Sequence, residues 1–154
     1  MKPVTVAIEV PQSPERVYDF LDVLGNHEQF TDHILVDWEL SGPPSGVGAK
    51  ARMNVKAMGR KDPLEMEVVA AERPRMNAEE SVSAKGHRHT RGTYRLEADP
   101  NGGTVIEFEF EWLQATFLDR LTAPIARSVL RNANLRALQR LRVRLEELDT
   151  EAAG

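Results

Sequence analysis

Phe117-Leu-Asp-Arg-Leu-Thr-Ala-Pro-Ile-Ala-Arg127, continuing in helical pattern to Leu148, is the stretch that decides the fold. On a wheel of about 100° per residue, Leu130, Ala137, Leu138, Leu141, Leu145 and Leu148 fall on one side. That periodicity predicts one long amphipathic helix. Asn134 lies in the middle of the apolar stripe and Arg127 near its edge. Pro124 interrupts this helix or sets its first turn, since proline lacks an N–H and clashes with the preceding turn. Everything upstream reads mainly as strand. One long helix after a sheet-rich chain predicts a helix laid across a curved sheet, with space between them.

Working back from the helix, the clearest strand carries Ile106, Phe108, Phe110 and Trp112 against Glu107, Glu109 and Glu111. Asp99-Pro-Asn-Gly-Gly103 before it is a hairpin signal. Thr90, Gly92, Tyr94 and Leu96 share a face in the preceding strand. Residues 76–85 alternate more weakly. One phase groups Met76, Ala78, Val82 and Ala84 with Glu80, and the opposite phase offers Glu79, Ser81 and Ser83. Leu64, Met66, Val68 and Ala70 oppose Glu65 and Glu67, and Ala51, Met53, Val55 and Ala57 oppose Lys50, Arg52, Asn54 and Lys56. Ile34, Val36, Trp38 and Leu40 form a further row. Such sustained alternation is that of an antiparallel meander with one covered face. At the start, Val4, Val6, Ile8 and Val10 make a strand. Ser13 as N-cap and Pro14 at the first helical position then open a short helix. Gly25 stops that helix, and Asn26 is expected to cap a second short one through Phe30.

The 154 residues contain 20 Lys and Arg, 24 Asp and Glu and no cysteine. This size predicts one domain, taken as residues 1–149 with 150–154 as a flexible tail. No run reaches the ~20 apolar residues of a membrane span, and the N-terminus lacks the apolar core of a secretory signal. A cytoplasmic protein, monomeric or homodimeric, is the expectation. Without cysteine there is no thiolate chemistry. No phosphate loop or nucleophile elbow appears, and no cofactor is expected. Residues 113–154 hold seven arginines and five acids, against a balance of −6 in residues 1–112. The basic helix reads as a nucleic-acid or membrane face, or as a solvated face. The acidic remainder favours the last and speaks against nucleic acid.

Several strings give this pattern a family likeness. Ile8-Glu-Val-Pro-Gln-Ser-Pro-Glu-Arg-Val-Tyr-Asp-Phe-Leu21 resembles the opening of the START-like, or SRPBCC, superfamily. Gly46-Val-Gly48 resembles its glycine before the third strand. Leu118 to Arg127 and Leu138-Gln-Arg-Leu-Arg-Val-Arg-Leu-Glu146 resemble the final helix of its polyketide cyclase/dehydrase branch. Phe30-Thr-Asp32 departs from the Trp-Leu or Trp-Pro pair of many relatives. The resemblance implies an α+β helix-grip fold (START-like, Bet v 1-like). About seven antiparallel strands would wrap the C-terminal helix, with two short helices after the first strand. It also implies a cavity for a hydrophobic molecule such as a lipid, polyketide or aromatic metabolite. No catalytic residue is shared across the superfamily, so the likeness transfers none.

The inward-facing residues supply the candidates. Glu80, in its apolar phase, would be a desolvated carboxylate with a raised pKa, suited to acid–base work. Tyr94 is a second candidate for polarising a ligand carbonyl, or a core residue. Arg127 and Asn134 could anchor a ligand's polar group, or serve as a snorkelling cation and a structural amide. An Arg127–Glu80 ion pair is a further structural alternative. Trp38, Met53, Met66, Val68, Phe108, Phe110 and Leu130 complete the expected lining, with methionines adapting to ligand shape. His87 and His89 share a strand face with Arg91 and Arg95, which reads as solvated, and no metal site is expected. His27 and His33 are read as loop residues near the cavity mouth. The leading function is binding of an apolar or amphipathic small molecule. The alternatives are a cyclase or dehydratase using cavity acid–base groups, and a surface-interaction protein using the arginine-rich helix.

Overall fold

The computed structural model describes all 154 residues. Its strands are β1 (Val4–Val10), β2 (Leu35–Ser41), β3 (Lys50–Ala57), β4 (Arg60–Glu72), β5 (Met76–Ser83), β6 (Arg88–Ala98) and β7 (Thr104–Gln114). The helices are α1 (Pro14–Asp22), α2 (Glu28–Thr31), α3 (Phe117–Leu121) and α4 (Ala123–Ala153), with a 3₁₀ turn at Leu24–His27. All seven strands form one antiparallel sheet in the order β1-β7-β6-β5-β4-β3-β2. The meander β2–β7 runs back so that its last strand pairs with the first. α1, the 3₁₀ turn and α2 bridge the two sheet edges, and α4 lies across the inner face.

Local chemistry starts and stops these elements as sequence rules require. The Ser13 hydroxyl accepts from the Arg16 N–H at 3.2 Å, and Pro14 occupies the first turn of α1. Asn26 differs from its expected role as cap of α2. Its Nδ2 donates to the Phe20 carbonyl at 2.9 Å, closing the end of α1 instead. A break at Thr122 divides the expected single helix into α3 and α4, with Pro124 in the first turn of α4. Helical geometry then continues through Ala153, into the segment read as a tail.

Two strands differ from their simple alternation. β2 has a bulge between Val36 and Glu39, with Asp37 at φ 61°. Asp tolerates this left-handed conformation, and its carboxylate accepts from Asn54 Nδ2 at 2.9 Å and Lys61 Nζ at 3.1 Å. Leu35 and Trp38 therefore both pack inward, in place of the expected row Ile34, Val36, Trp38 and Leu40. β5 takes the opposite phase from the one that placed Glu80 inside. Its register sets Glu80 opposite Arg91 on the outer face, where Arg91 Nη2 donates to Glu80 Oε2 at 2.8 Å. A shift of one residue exchanges the faces of a strand, so Asn77, Glu79, Ser81 and Ser83 are the buried row.

The core falls into two apolar clusters. The larger packs Ala137, Leu138, Leu141 and Leu145 of α4 against α1, β1, β6 and β7. The smaller joins Leu24 to Ala51, Met53, Met66 and Val68. Burial along α4 begins only at Asn134. Ahead of it, Arg127 Nε donates to the Lys2 carbonyl at 3.1 Å and Nη2 to that of Pro3 at 2.9 Å. Arg127 thus holds the chain leading into β1, and the alternative pair with Glu80 is not made. Leu141 has no exposed surface, whereas Val143 is half exposed. Leu141→Ala should cost about 2–5 kcal/mol in urea unfolding, and Val143→Ala less than about 0.5 kcal/mol. Equal losses would mean that α4 is not seated on its leucine stripe.

Candidate functional site

The buried row of β5 runs between the two apolar clusters as a polar seam. Pairing sets Glu79 between Val68 of β4 and Gly92 of β6, and Ser81 between Met66 and Thr90. Glu79, Ser81 and Thr90 are all buried. The position opposite Glu79 requires glycine. A Cβ on residue 92 would lie 2.7 Å from the Phe108 ring and 3.4 Å from Glu79 Oε1. Glycine therefore leaves room for the aromatic ring and the carboxyl on the same inner face.

His27 covers this seam from the 3₁₀ turn. Its Nε2 lies 2.7 Å from the Leu21 carbonyl oxygen, which can only accept, so Nε2 carries the hydrogen. In the neutral ring Nδ1 then keeps its lone pair, and it sits 3.6 Å from Glu79 Oε2. The ring is held between Phe30, with centroids 5.3 Å apart, and Tyr94, edge-on at 5.6 Å. Tyr94 packs in turn on Phe108 at 4.6 Å.

The charge states follow from burial. Glu79 has no hydrogen bond to Oε2, and desolvation pushes its carboxyl up to about 8. Desolvation also pushes His27 down to about 4, against the opposing pull of the Leu21 carbonyl. The pair is therefore neutral at pH 7, a carboxylic acid facing an imidazole base, although its spacing is that of an ion pair. Burial and the nearby Glu79 carboxyl push the Tyr94 phenol well up. The pair can donate one proton from Glu79, accept one at His27 Nδ1, and hydrogen-bond a polar group brought between the clusters.

The expected site residues distribute unevenly around the seam. Tyr94 and Phe108 are buried beside it, with Phe110 half-buried against the same cluster. Met53, Met66 and Val68 are buried on the other side, with Trp38 packed against them. Asn134 is buried on α4 with its Nδ2 unpartnered, and Leu130 is half-buried one turn earlier. Glu80 and Arg127 lie outside this group. Glu79 and His27 are the residues that simple alternation missed. Glu79 was visible only as the other phase of a weak strand, and His27 only as a loop residue near the expected cavity mouth, whereas the structure buries it in the 3₁₀ turn. His33 binds the Ala133 carbonyl at 3.0 Å through Nε2 and accepts from Arg140 at 2.8 Å, tying the α2 end to α4. His87 is exposed, and His89 borders a recess of about 670 Å³ on the outer sheet face. That recess is edged by the ion pairs Arg52–Glu65 at 3.0 Å and Lys50–Glu67 at 3.5 Å.

Residues 1–146 match the family described as polyketide cyclase / dehydrase and lipid transport, and the chain belongs to it. Its helix-grip fold is that of TTHA0849 from Thermus thermophilus, at TM-score 0.76 and 18% identity, covering 96% of this chain and 99% of that one. Protein SA2116 of unknown function from Staphylococcus aureus matches at TM-score 0.70 and 15% identity, covering 97% of each chain. Major latex-like protein 151 from Panax ginseng matches at 0.67 and 10% identity, covering 93% and 96%. No curated protein matches the sequence significantly.

The seam predicts a specific pH dependence of stability. Glu79 binds its proton more tightly folded than unfolded, so its contribution is full below about pH 4.5 and is lost as pH rises through about 8. His27 has the opposite sign. Its contribution is full above about pH 6.5 and is lost as pH falls through about 4. The two slopes oppose one another between about pH 4.5 and 6.5. From pH 6.5 to 8 only Glu79 acts, and stability should fall by on the order of 2 kcal/mol. In Glu79→Gln this fall should vanish, and a rise from about pH 4.5 to 6.5, cancelled in the wild type by Glu79, should appear. Urea midpoints measured across pH for both proteins test this. Parallel profiles would remove the neutral pair.

Proposed function

We propose that this family member binds an apolar or amphipathic small molecule, with its one hydrogen-bonding group placed at Glu79 and His27. The observation that carries this reading is the buried Glu79 carboxyl, whose Oε2 has no hydrogen-bond partner. Leaving such a group unpaired away from water is costly. A ligand hydroxyl or carbonyl between the apolar clusters would recover that cost. The proposed walls are Met53, Met66, Val68 and Trp38 on one side, and Tyr94, Phe108, Phe110 and Leu130 on the other. Asn134 supplies a second unpartnered donor from α4. Few polar groups in an apolar lining is the usual composition of a small-molecule site.

A second reading is favoured by the 3.6 Å spacing of a neutral acid and a neutral base. The same pair would move a proton on a bound carbonyl compound, as a cyclase or dehydratase requires. Glu79 and His27 then take the role first assigned to Glu80, with Tyr94 beside them.

Displacement of the uncharged dye Nile red by a naphthol and by naphthalene tests the binding reading. The wild-type protein should prefer the naphthol about tenfold, the worth of one buried hydrogen bond. Glu79→Leu should lose that preference, keep its affinity for naphthalene, and remain folded by circular dichroism. Failure of both compounds to displace the dye, or an unchanged preference in Glu79→Leu, would sink the proposal.

A further inference from the structure

α3 is attached to the domain by charge rather than by apolar burial. Arg88 Nε and Nη2 donate to the two Asp119 oxygens at 2.7 and 2.6 Å. Asp119 also closes a capping box with Thr116. No side chain of α3 is buried. Its hydrophobic residues are therefore free of the core, and Phe117 is 80% exposed, Leu118 65% and Leu121 67%. The first turns of α4 extend the same patch, with Ile125 at 69% and Val129 at 63%. On the wheel, Ile125 and Val129 point away from the buried stripe of Ala137, Leu138 and Leu141. A contiguous exposed apolar patch of this kind marks an interaction surface.

The surrounding charge selects the partner. No acidic residue occurs between Asp119 and Glu146, while seven arginines do. Arg140 pairs with Asp32 beyond α2, Arg144 with Glu147 of its own helix, and Arg127 is taken by backbone carbonyls. Arg120, Arg131 and Arg136 are exposed and form no ion pair. On the wheel Arg136 shares the face of Ile125 and Val129, whereas Arg131 points toward the other side of α4, so Arg120 and Arg136 supply the free positive charge beside the patch. A two-fold dimer through this surface would bring the same arginines towards one another, which disfavours a second copy. An apolar wedge edged by unpaired arginines matches the interface of an anionic bilayer, with acyl chains beneath phosphate.

We propose that α3 and the first two turns of α4 dock this protein onto anionic membrane surfaces, inserting Phe117, Leu118, Leu121, Ile125 and Val129 while Arg120 and Arg136 meet lipid phosphates. The docking face is separate from the Glu79–His27 seam and does not depend on what the seam binds. It lies where α4 has no buried residue, so a molecule leaving the bilayer would meet the domain at its least closed side.

Cosedimentation of the whole protein with vesicles of phosphatidylcholine alone, and of phosphatidylcholine mixed with phosphatidylglycerol, tests the docking. Binding should occur on the mixed vesicles and weaken as salt is raised. The double variant Arg120→Glu/Arg136→Glu should weaken it at least about tenfold. Leu121→Ser/Ile125→Ser should weaken it comparably through loss of apolar insertion. All four positions are exposed, so thermal melts should stay near wild type and loss of binding cannot be assigned to unfolding. The proposal is overturned by absence of binding to the mixed vesicles at low salt, or by binding that both variants leave unchanged. It is also overturned if lipid-free protein forms an oligomer that these variants dissolve.

Discussion

The backbone pairing of β4, β5 and β6 is the constraint on which the site depends. Antiparallel hydrogen bonds fix Glu79 beside Val68 and Gly92, and Ser81 beside Met66 and Thr90. Once that register is set, side-chain direction is decided for the whole strand. The sheet cannot turn Glu79 outward without also turning Ser81 and Ser83 outward and Glu80 and Val82 inward. It would then lose the Glu80–Arg91 pair on the outer face. Cross-strand pairing outside therefore maintains an unpaired carboxyl inside. The local cost of burying Glu79 is borne by the cooperative pairing of seven strands, which is how a fold sustains a strained functional group.

His27 depends on a different part of the chain and meets Glu79 only through tertiary structure. Asn26 closes the end of α1 at the Phe20 carbonyl, and His27 takes the next free carbonyl, that of Leu21. Two consecutive side chains thus satisfy carbonyls that the end of a helix leaves unpaired. The second of these bonds also fixes the imidazole tautomer and aims Nδ1 at the seam. Helix termination and site chemistry are in this case one interaction. A residue that donates at one nitrogen for structural reasons is left with its basic nitrogen pointing inward.

The fold was legible because its signals repeat. Seven strands, each with some alternation, a proline-started α1 and a leucine stripe on α4 all point to the same helix-grip arrangement. The resemblance of Ile8–Leu21 and of the final helix to START-like sequences points the same way, and the family match agrees. The inner residues of β6 and β7 were legible for the same reason, since Tyr94, Phe108 and Phe110 sit in strong alternating runs. The candidate site was hidden where burial opposes the apolar pattern. β5 places polar residues inside, so its apolar members Met76, Ala78 and Val82 suggested the wrong phase. The bulge at Asp37 similarly broke the row that included Trp38. Arg127 was read as lying near the edge of the apolar stripe, but burial on α4 starts only at Asn134. Its partners, the Lys2 and Pro3 carbonyls, are backbone groups that no side-chain pattern reveals.

The seating of α4 is uneven along its length. Its later turns are fixed three ways: by Leu138, Leu141 and Leu145 in the core, by Asp149 accepting from Gln12 at 2.9 Å and Arg16 at 3.2 Å, and by Arg140 at the α2 end. Its earlier turns have Arg127 on backbone carbonyls and, through α3, the Arg88–Asp119 pair. Polar tethers of this kind exchange with water more readily than buried leucines, so local opening is favoured at the α3 end. Asn134 marks the boundary, the first buried residue of α4 and one with an unpartnered amide. The division of α4 into a held half and a tethered half thus follows from where its buried residues begin, and polar contacts rather than leucines set the position of its first turns.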